Sequence, residues 1–169
     1  LNHKVRASND PIHPALIPWH VLALAKHHRI NEEPSFLQII FELTNYLTDL
    51  QTDRDFPGRF HSAKHPSFGQ PNTTRDALTT LALLHSLEIA STLDKARIAK
   101  RYRKMARLAL ENLVSLQYRR GGVSAFPKPQ KAIGALRFRH NESRIRLDAT
   151  AFAAEAFEKA AKLSSEGIL

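Results

Sequence analysis

Cysteine is absent from this sequence, and several other residue types are scarce. The 169 residues include no cysteine, six glycines, one tryptophan and one methionine. A chain without cysteine forms no disulfide, thiolate zinc site or iron–sulfur cluster and uses no cysteine nucleophile. Glycine and proline are too few for a collagen-like or low-complexity chain. No apolar run approaches the roughly 20 residues that a membrane helix requires, so we expect no transmembrane segment.

Several catalytic and ligand-binding motifs are missing as well. The sequence contains no G-x-S-x-G elbow, no phosphate-binding P-loop, no dinucleotide-binding glycine fingerprint and no HExxH pair. His61 and His65 stand four residues apart, but Pro66 and Gly69 argue against a helix that would aim both at one ion. We therefore predict neither a metal nor a cofactor. The compartment stays open between cell envelope and cytoplasm, because a cysteine-free chain suits both and no targeting signal is recognised.

The composition that remains is that of one globular domain. Apolar residues make up 43% of the chain and charged residues 24%. A chain of this length buries well over half of its unfolded surface when it folds. We expect residues 1–169 to form a single domain.

Positive charge is concentrated in one third of the chain. Residues 95–146 hold 15 Lys or Arg and two acidic residues, whereas the rest holds 10 basic and 14 acidic residues. Such a field attracts an anionic partner: an acidic polysaccharide, a nucleic acid, an acidic protein or an anionic lipid surface. The simpler alternative is a solvated basic face. No helix-turn-helix, zinc-finger or RNA-recognition signature accompanies the charge, so nucleic acid ranks below polysaccharide.

Hydrophobic periodicity predicts helices throughout the chain. From Ile98 to Leu116 apolar residues recur every three or four positions, and Lys and Arg occupy the opposite face. The predicted helices lie near 15–28, 36–51, 75–91, 94–118 and 147–163. Residues 72–74 are capping candidates for the third helix, and Trp19 is expected in the core. Only 136–139 alternates like a short hairpin arm, so the predicted class is all-α.

Helical hairpins and long loops alternate along the sequence. Hairpin units at 14–51 and 75–118 and the start of a third at 147–163 are joined by long loops at 52–74 and 119–146. Loops of this length inside a compact domain are often functional.

The two long loops resemble each other, which indicates an internal repeat. Each follows a Leu-Gln pair, Gln51 in the first unit and Gln117 in the second, and each leads to an Arg close before an Asp. In this alignment Asp76 corresponds to Asp148, and both stand at the start of a helix.

The second loop also carries a resemblance to a known architecture. The tripeptide SLQ at 115–117 is followed by Gly121 and Gly122, by AFP at 125–127 and by Asp148 at the head of an alanine-rich helix. Over about 35–163 this order resembles the α/α-toroid proteins, which include six-hairpin glycosidases, polysaccharide lyases, epimerases and terpene-cyclase-like barrels. The Asp-rich motif of terpene cyclases is missing here.

The resemblance implies a ring of hairpins whose loops surround a cleft at one end. Five helices make two and a half hairpins, so the expectation is a partial α/α-toroid, completed by further hairpins from the same or another chain. A plain hairpin array or an irregular bundle is the alternative.

The resemblance further implies sugar chemistry at the helix starts. Asp76 and Asp148 would act as acid and base of a hydrolase, lyase or epimerase, although a first-turn aspartate more often only satisfies helix amides. Arginines bind carboxylate, sulfate or phosphate groups in bidentate fashion. The substrate-binding candidates are Arg59, His61, Arg75, Arg137, Arg139, His140, Arg144 and Arg146.

These expectations define a predicted function and its alternative. The first is a carbohydrate-active or carbohydrate-binding domain that acts on an anionic polysaccharide, and whether it is an enzyme stays open. The second is a non-catalytic helical module that docks an acidic partner or a nucleic acid through residues 95–146.

Overall fold

Helices dominate the computed structural model, which describes residues 14–52, 56–61 and 70–169. The long helices are α1 (Ile17–Asn31), α2 (Ser35–Asp49), α3 (Thr73–Thr92), α4 (Ala96–Ser115) and α6 (Leu147–Ser165). The short helix α5 (Pro129–Ala132) and the antiparallel strands β1 (Arg137–Arg139) and β2 (Glu142–Ile145) lie between α4 and α6. The all-α class is confirmed. The loop at 119–146 is more structured than expected, because it contains α5 and this small sheet.

Helix α3 is the centre of the molecule and packs against the four other long helices. It begins at the predicted cap, where Asn72 Oδ1 accepts a hydrogen bond from Arg75 N at 3.0 Å. Thirteen of its 20 residues are buried, so its apolar surface runs around the helix instead of along one stripe. Helix α6 approaches α3 closely because the α6 residues that face the core include Ala149, Ala153 and Ala156.

Trp19 lies at the surface, and its expected place in the core is wrong. Its side chain is 48% exposed and meets the ring of Phe152 edge-on, with 5.5 Å between ring centroids. The buried stripe of α1 runs through Ile17, Val21 and Leu24. At 100° per residue Trp19 projects about 160° away from Val21, which explains its exposure. None of the described helices has the length and apolar content of a membrane span.

The first Leu-Gln pair forms a hydrogen-bonded corner, called here the first corner (residues 50–52 and 58–61). Gln51 makes an antiparallel bridge with Phe60, and its side-chain amide donates to Gly58 O at 3.3 Å. Gly58 N donates to Thr52 O at 3.0 Å, and Gly58 has a φ of +90°. Phe60 is fully buried, so the corner is anchored in the core.

The second Leu-Gln pair forms a corner with the same hydrogen bonds, called here the second corner (residues 116–118 and 134–137). Gln117 bridges Leu136, and its side-chain amide donates to Gly134 O at 3.1 Å. Gly134 N donates to Tyr118 O at 2.9 Å, and Gly134 has a φ of +87°. Gly134 in the second corner is therefore equivalent to Gly58 in the first corner. It lies further along the loop than Gly121 and Gly122.

The two corners also show which helix residues correspond. Phe60 N donates to Asp76 Oδ1 at 3.0 Å, and Leu136 N donates to Thr150 Oγ1 at 3.3 Å. Thr150, and not Asp148, therefore stands where Asp76 stands. The predicted match of Asp76 with Asp148 is wrong by two residues. The match used the similar Arg-Asp pattern of the two segments, and that pattern does not determine which side chain accepts the backbone N–H of Phe60 or Leu136.

Candidate anion-binding site

Six of the predicted site residues come together where α3 begins. They are Arg59 and His61 from the first corner, Arg75 and Asp76 from α3, Arg137 from β1, and His140 from the turn between β1 and β2. Three elements distant in sequence thus supply one cluster, which we call the anion-binding site. His65 lies outside the described residues.

Asp76 forms the buried floor of this site. Its side chain is 2% exposed, its Oδ1 accepts from Phe60 N, and its Oδ2 accepts from Asn112 Nδ2 at 3.4 Å. Burial raises the pKa of Asp76 to about 6, although the hydrogen bond from Phe60 and the charge of Arg59 oppose this rise. Asp76 is therefore ionised at pH 7 and gains protons just below that pH.

Asn112 connects Asp76 to His140 and determines which ring nitrogen of His140 carries the proton. An ionised carboxylate only accepts hydrogen bonds, so the Asn112 amide nitrogen faces Asp76 and its oxygen faces His140. His140 Nε2 lies 2.8 Å from Asn112 Oδ1, and it must be the donor in this pair. In the neutral imidazole, Nδ1 then keeps a lone pair that can accept a hydrogen bond.

His140 lies flat against an aromatic ring from the first long loop. The rings of Phe56 and His140 are stacked, with centroids 3.9 Å apart and planes inclined by 19°. Burial, together with the charges of Arg59 and Arg137, lowers the pKa of His140 to about 4, so this imidazole is neutral at pH 7. Burial and the charges of Arg59 and Arg75 likewise lower the pKa of His61.

Phe56 has a backbone conformation that bulky residues rarely adopt. Its φ is +68°, and its side chain is 49% exposed. Conformations of this kind cost about 1–3 kcal/mol and persist where the surroundings impose them, often at functional sites. Here the hydrogen bonds of the first corner and the contact with His140 hold an apolar ring beside Arg59, whose guanidinium lies 5.3 Å from the ring centroid.

The inner N–H groups of two arginines in this site lack partners. Arg59 Nε and Arg137 Nε are both buried and have no hydrogen-bond partner among the described residues. His61 Nδ1 is in the same situation. Buried polar groups are nearly always hydrogen-bonded, so each exception needs an explanation. An anion seated between the guanidinium groups would satisfy the arginine donors.

The remaining candidates gather around a different ring, that of Phe138. The guanidinium carbons of Arg139, Arg144 and Arg146 lie 5.3, 4.9 and 5.1 Å from its centroid. Acidic partners accompany all three arginines. Arg144 pairs with Glu142 at 2.8 Å and Arg139 approaches the same carboxylate at 3.8 Å. This second group therefore holds two carboxylates for three guanidinium groups, although Arg139 Nε is also buried without a hydrogen-bond partner among the described residues.

Asp148 belongs to the Phe138 group and differs from Asp76 in its chemistry. Arg146 donates to both of its oxygens, at 2.9 and 2.8 Å. This bidentate hydrogen bonding lowers the pKa of Asp148, whereas burial raises that of Asp76. The two carboxylates thus stand in opposite environments.

Sequence reasoning missed Asn112. Asn112 is 4% exposed and lies between Ala109 and Leu113 on the buried face of α4. A polar residue at a position where the helical period requires an apolar one was the available signal. Phe56 could not be singled out, because nothing local distinguishes it from an ordinary loop aromatic.

A cavity lies toward the other end of α3. It has a volume of about 910 Å³ and is lined by residues of α1, α2, α3 and α6, among them His85 and Glu88. Glu88 is already paired with Lys159 at 2.5 Å. No group of three or more metal-ligating side chains occurs in the described part of the chain. The unsatisfied donors of Arg59 and Arg137 therefore make the anion-binding site the stronger candidate.

No protein family, no curated protein and no solved structure matches the chain.

Proposed function

We propose that this domain binds an acidic polysaccharide at the anion-binding site. The observation that carries the proposal is a pair of buried, unpartnered Nε–H groups, those of Arg59 and Arg137. The Arg59 guanidinium lies 5.3 Å from the centroid of the half-exposed Phe56 ring, and the Arg137 guanidinium lies 4.9 Å from that of the Tyr118 ring. A guanidinium group matches the two oxygens of a carboxylate or sulfate. An aromatic ring offers its apolar face to the C–H groups of a sugar. Together they suit a sugar that carries a negative charge.

The experiment that tests this proposal removes both guanidinium groups. Oligogalacturonate and a heparin-type oligosaccharide are titrated by calorimetry into the wild type and into the Arg59→Ala, Arg137→Ala double variant. A hydrogen bond to a charged group contributes about 1.5–3 kcal/mol, so we expect affinity for at least one oligosaccharide to fall by a factor of about 100 or more.

A matched control removes the same charge elsewhere. The double variant Arg97→Ala, Lys100→Ala loses two exposed charges of α4, away from the site, and should keep affinity within a few-fold. Equal losses in both double variants would reduce the proposal to general electrostatic attraction. Absence of binding by the wild type to either oligosaccharide would overturn it.

The proposal includes a catalytic branch in which Asp76 and Asp148 remain the acid–base candidates of a polysaccharide hydrolase, lyase or epimerase. A pKa of about 6 suits a group that exchanges protons near neutrality, and this supports Asp76. Its 2% exposure requires that substrate binding opens the floor of the site. Asp148→Asn should abolish turnover of the oligosaccharide and retain binding, and unchanged turnover would remove Asp148 from this branch.

The ring architecture belongs to the same proposal. Helices α1, α3 and α6 are the inner members of a partial α/α-toroid, with α2 and α4 outside them, and further hairpins of the same or another chain extend it. The contacts of α3 with α1 and α6 support this arrangement, as do the matching hydrogen bonds of the two corners.

A specific observation favours a second candidate function, docking of an acidic protein or nucleic acid on α4. Lys95, Arg97, Lys100 and Lys104 are all exposed, and no acidic residue occurs between positions 95 and 110. We call these four residues the α4 basic face. Its charge attracts a polyanion without the geometry of a sugar site.

A further inference from the structure

One group in the anion-binding site differs from its neighbours in hydrogen-bonding character. Arg59, Arg75 and Arg137 can only donate hydrogen bonds. His140 donates its Nε2 proton to Asn112, whose orientation is determined by the carboxylate of Asp76. Nδ1 of His140 is then an acceptor, and it has no hydrogen-bond partner among the described residues.

The position of His140 keeps it an acceptor. Its ring is held flat on Phe56, with centroids 3.9 Å apart, and the nearby positive charges of Arg59 and Arg137 disfavour a second proton. A flip of the buried Asn112 amide would turn its oxygen toward Asp76 and remove the hydrogen bond that Asp76 Oδ2 accepts. An acceptor nitrogen therefore stands among the cationic donors Arg59, Arg75 and Arg137.

We infer that the ligand of this site is a sugar acid in which a free hydroxyl near the charged group donates a hydrogen bond to His140. This inference rests on the proposed function and narrows it. The ligand must supply acceptor oxygens for Arg59 and Arg137 and also a donor for Nδ1. The phosphodiester backbone of DNA and fully ionised polyphosphate have no hydroxyl donor beside their charge, whereas a sugar acid carries hydroxyls next to its carboxylate or sulfate.

The test compares a trigalacturonate with the same trisaccharide after O-acetylation, which keeps the carboxylates and removes the hydroxyl donors. Calorimetry should show about tenfold tighter binding of the free-hydroxyl form to the wild type. An inorganic polyphosphate of equal charge should bind as weakly as the acetylated form. A sulfated trisaccharide with free hydroxyls serves as a further arm and identifies which acid group the site prefers.

The His140→Phe variant separates hydrogen bonding from the bulk of the acetyl groups. It keeps an aromatic ring against Phe56 and removes the acceptor. If the acetyl groups act only by bulk, the tenfold preference persists in this variant; if His140 accepts the hydroxyl, the preference disappears. Circular dichroism confirms that the variant is folded, and His140→Leu, which likewise removes the acceptor, repeats the comparison should His140→Phe fail to fold.

The outcomes distinguish this inference from the proposed function. Loss of the preference in the His140 variant supports the inference. If the wild type binds both trisaccharides equally, or the preference survives in the variant, the inference is overturned, and the proposed function stands provided that Arg59→Ala weakens binding. If the wild type binds none of the oligosaccharides, both are overturned.

Discussion

At the scale of single residues, the same side-chain type acquires opposite properties from its surroundings. Asp76 and Asp148 both lie in the first turn of a helix that follows a long loop. Asp76 is buried and has a raised pKa, whereas Asp148 is held ionised by Arg146. Sequence neighbours did not reveal this difference, because Phe60 and Asn112, which decide the environment of Asp76, lie 16 and 36 residues away.

The raised pKa of Asp76 predicts a pH dependence of stability. The native state binds this proton more tightly than the unfolded chain does, so the stabilisation from protonated Asp76 is complete below pH 4 and is lost as pH rises through 6. We compare the free energy of unfolding of the wild type with that of the Asp76→Asn variant. The wild-type value relative to the variant should fall by about 2–3 kcal/mol between pH 4 and pH 7. Urea denaturation at several pH values measures this difference.

Asp148→Asn is the control for that series. The pKa of Asp148 is lowered in the native state, so its contribution to stability is lost as pH falls. The free energy of unfolding of the wild type relative to Asp148→Asn should therefore rise with pH, opposite to the Asp76 series. The change should be smaller, since the Asp148 side chain is partly exposed. Parallel trends for the two variants would contradict the environments described for these carboxylates.

At the scale of elements, the two corners share a hydrogen-bond pattern and differ in what surrounds them. Gly58 and Gly134 both adopt a positive φ that suits glycine. A Cβ on Gly58 would lie 2.0 Å from the carbonyl oxygen of Leu108 in α4, whereas a Cβ on Gly134 would meet nothing closer than the Gln117 side chain at 3.9 Å. The first corner is pressed against α4, and the second corner has room.

The two glycines therefore provide a matched pair of substitutions. Gly134→Ala should lower the free energy of unfolding by about 1–2 kcal/mol, the usual cost of a left-handed conformation with a Cβ. Gly58→Ala adds a clash with the α4 backbone and should cost at least about twice as much, and it should weaken oligosaccharide binding because Phe56 and Arg59 flank it. Thermal denaturation of both variants provides the comparison; equal losses would show that the first corner is not pressed against α4.

At the scale of the whole molecule, the anion-binding site and the α4 basic face are two positively charged surfaces with different geometry. In the anion-binding site the guanidinium groups are partly buried and oriented. On the α4 basic face the four cations are exposed, with no acidic residue between positions 95 and 110. Salt screens exposed charges far more than buried ones, so salt dependence separates the two surfaces.

This contrast yields a prediction for the second candidate function. Binding of a single-stranded DNA to the α4 basic face should weaken with salt, and neutralising Lys95, Arg97, Lys100 and Lys104 to Gln should reduce the slope of log K against log salt by about 3. The same variant should bind trigalacturonate within about twofold of the wild type. Fluorescence anisotropy at several salt concentrations measures the slope, and an unchanged slope would argue against docking on α4.

The sequence by itself determined the helices, the class and the charge of this protein. The predicted helices agree with α1, α2, α3, α4 and α6 to within a few residues. Helical period, capping at Asn72 and the run of basic residues are local properties, which neighbours along the chain suffice to define. The hairpin arm at 136–139 was also visible as a short alternation and corresponds to β1.

Only the tertiary structure decided which residues meet. The match between the corners, the exposure of Trp19, and the chain of Asp76, Asn112 and His140 depend on contacts across many residues, and no local pattern encodes such contacts. The six candidates at the start of α3 were predicted one by one. Their separation from the arginines around Phe138 follows from the packing of the first corner on α4 and of the hairpin beside α3.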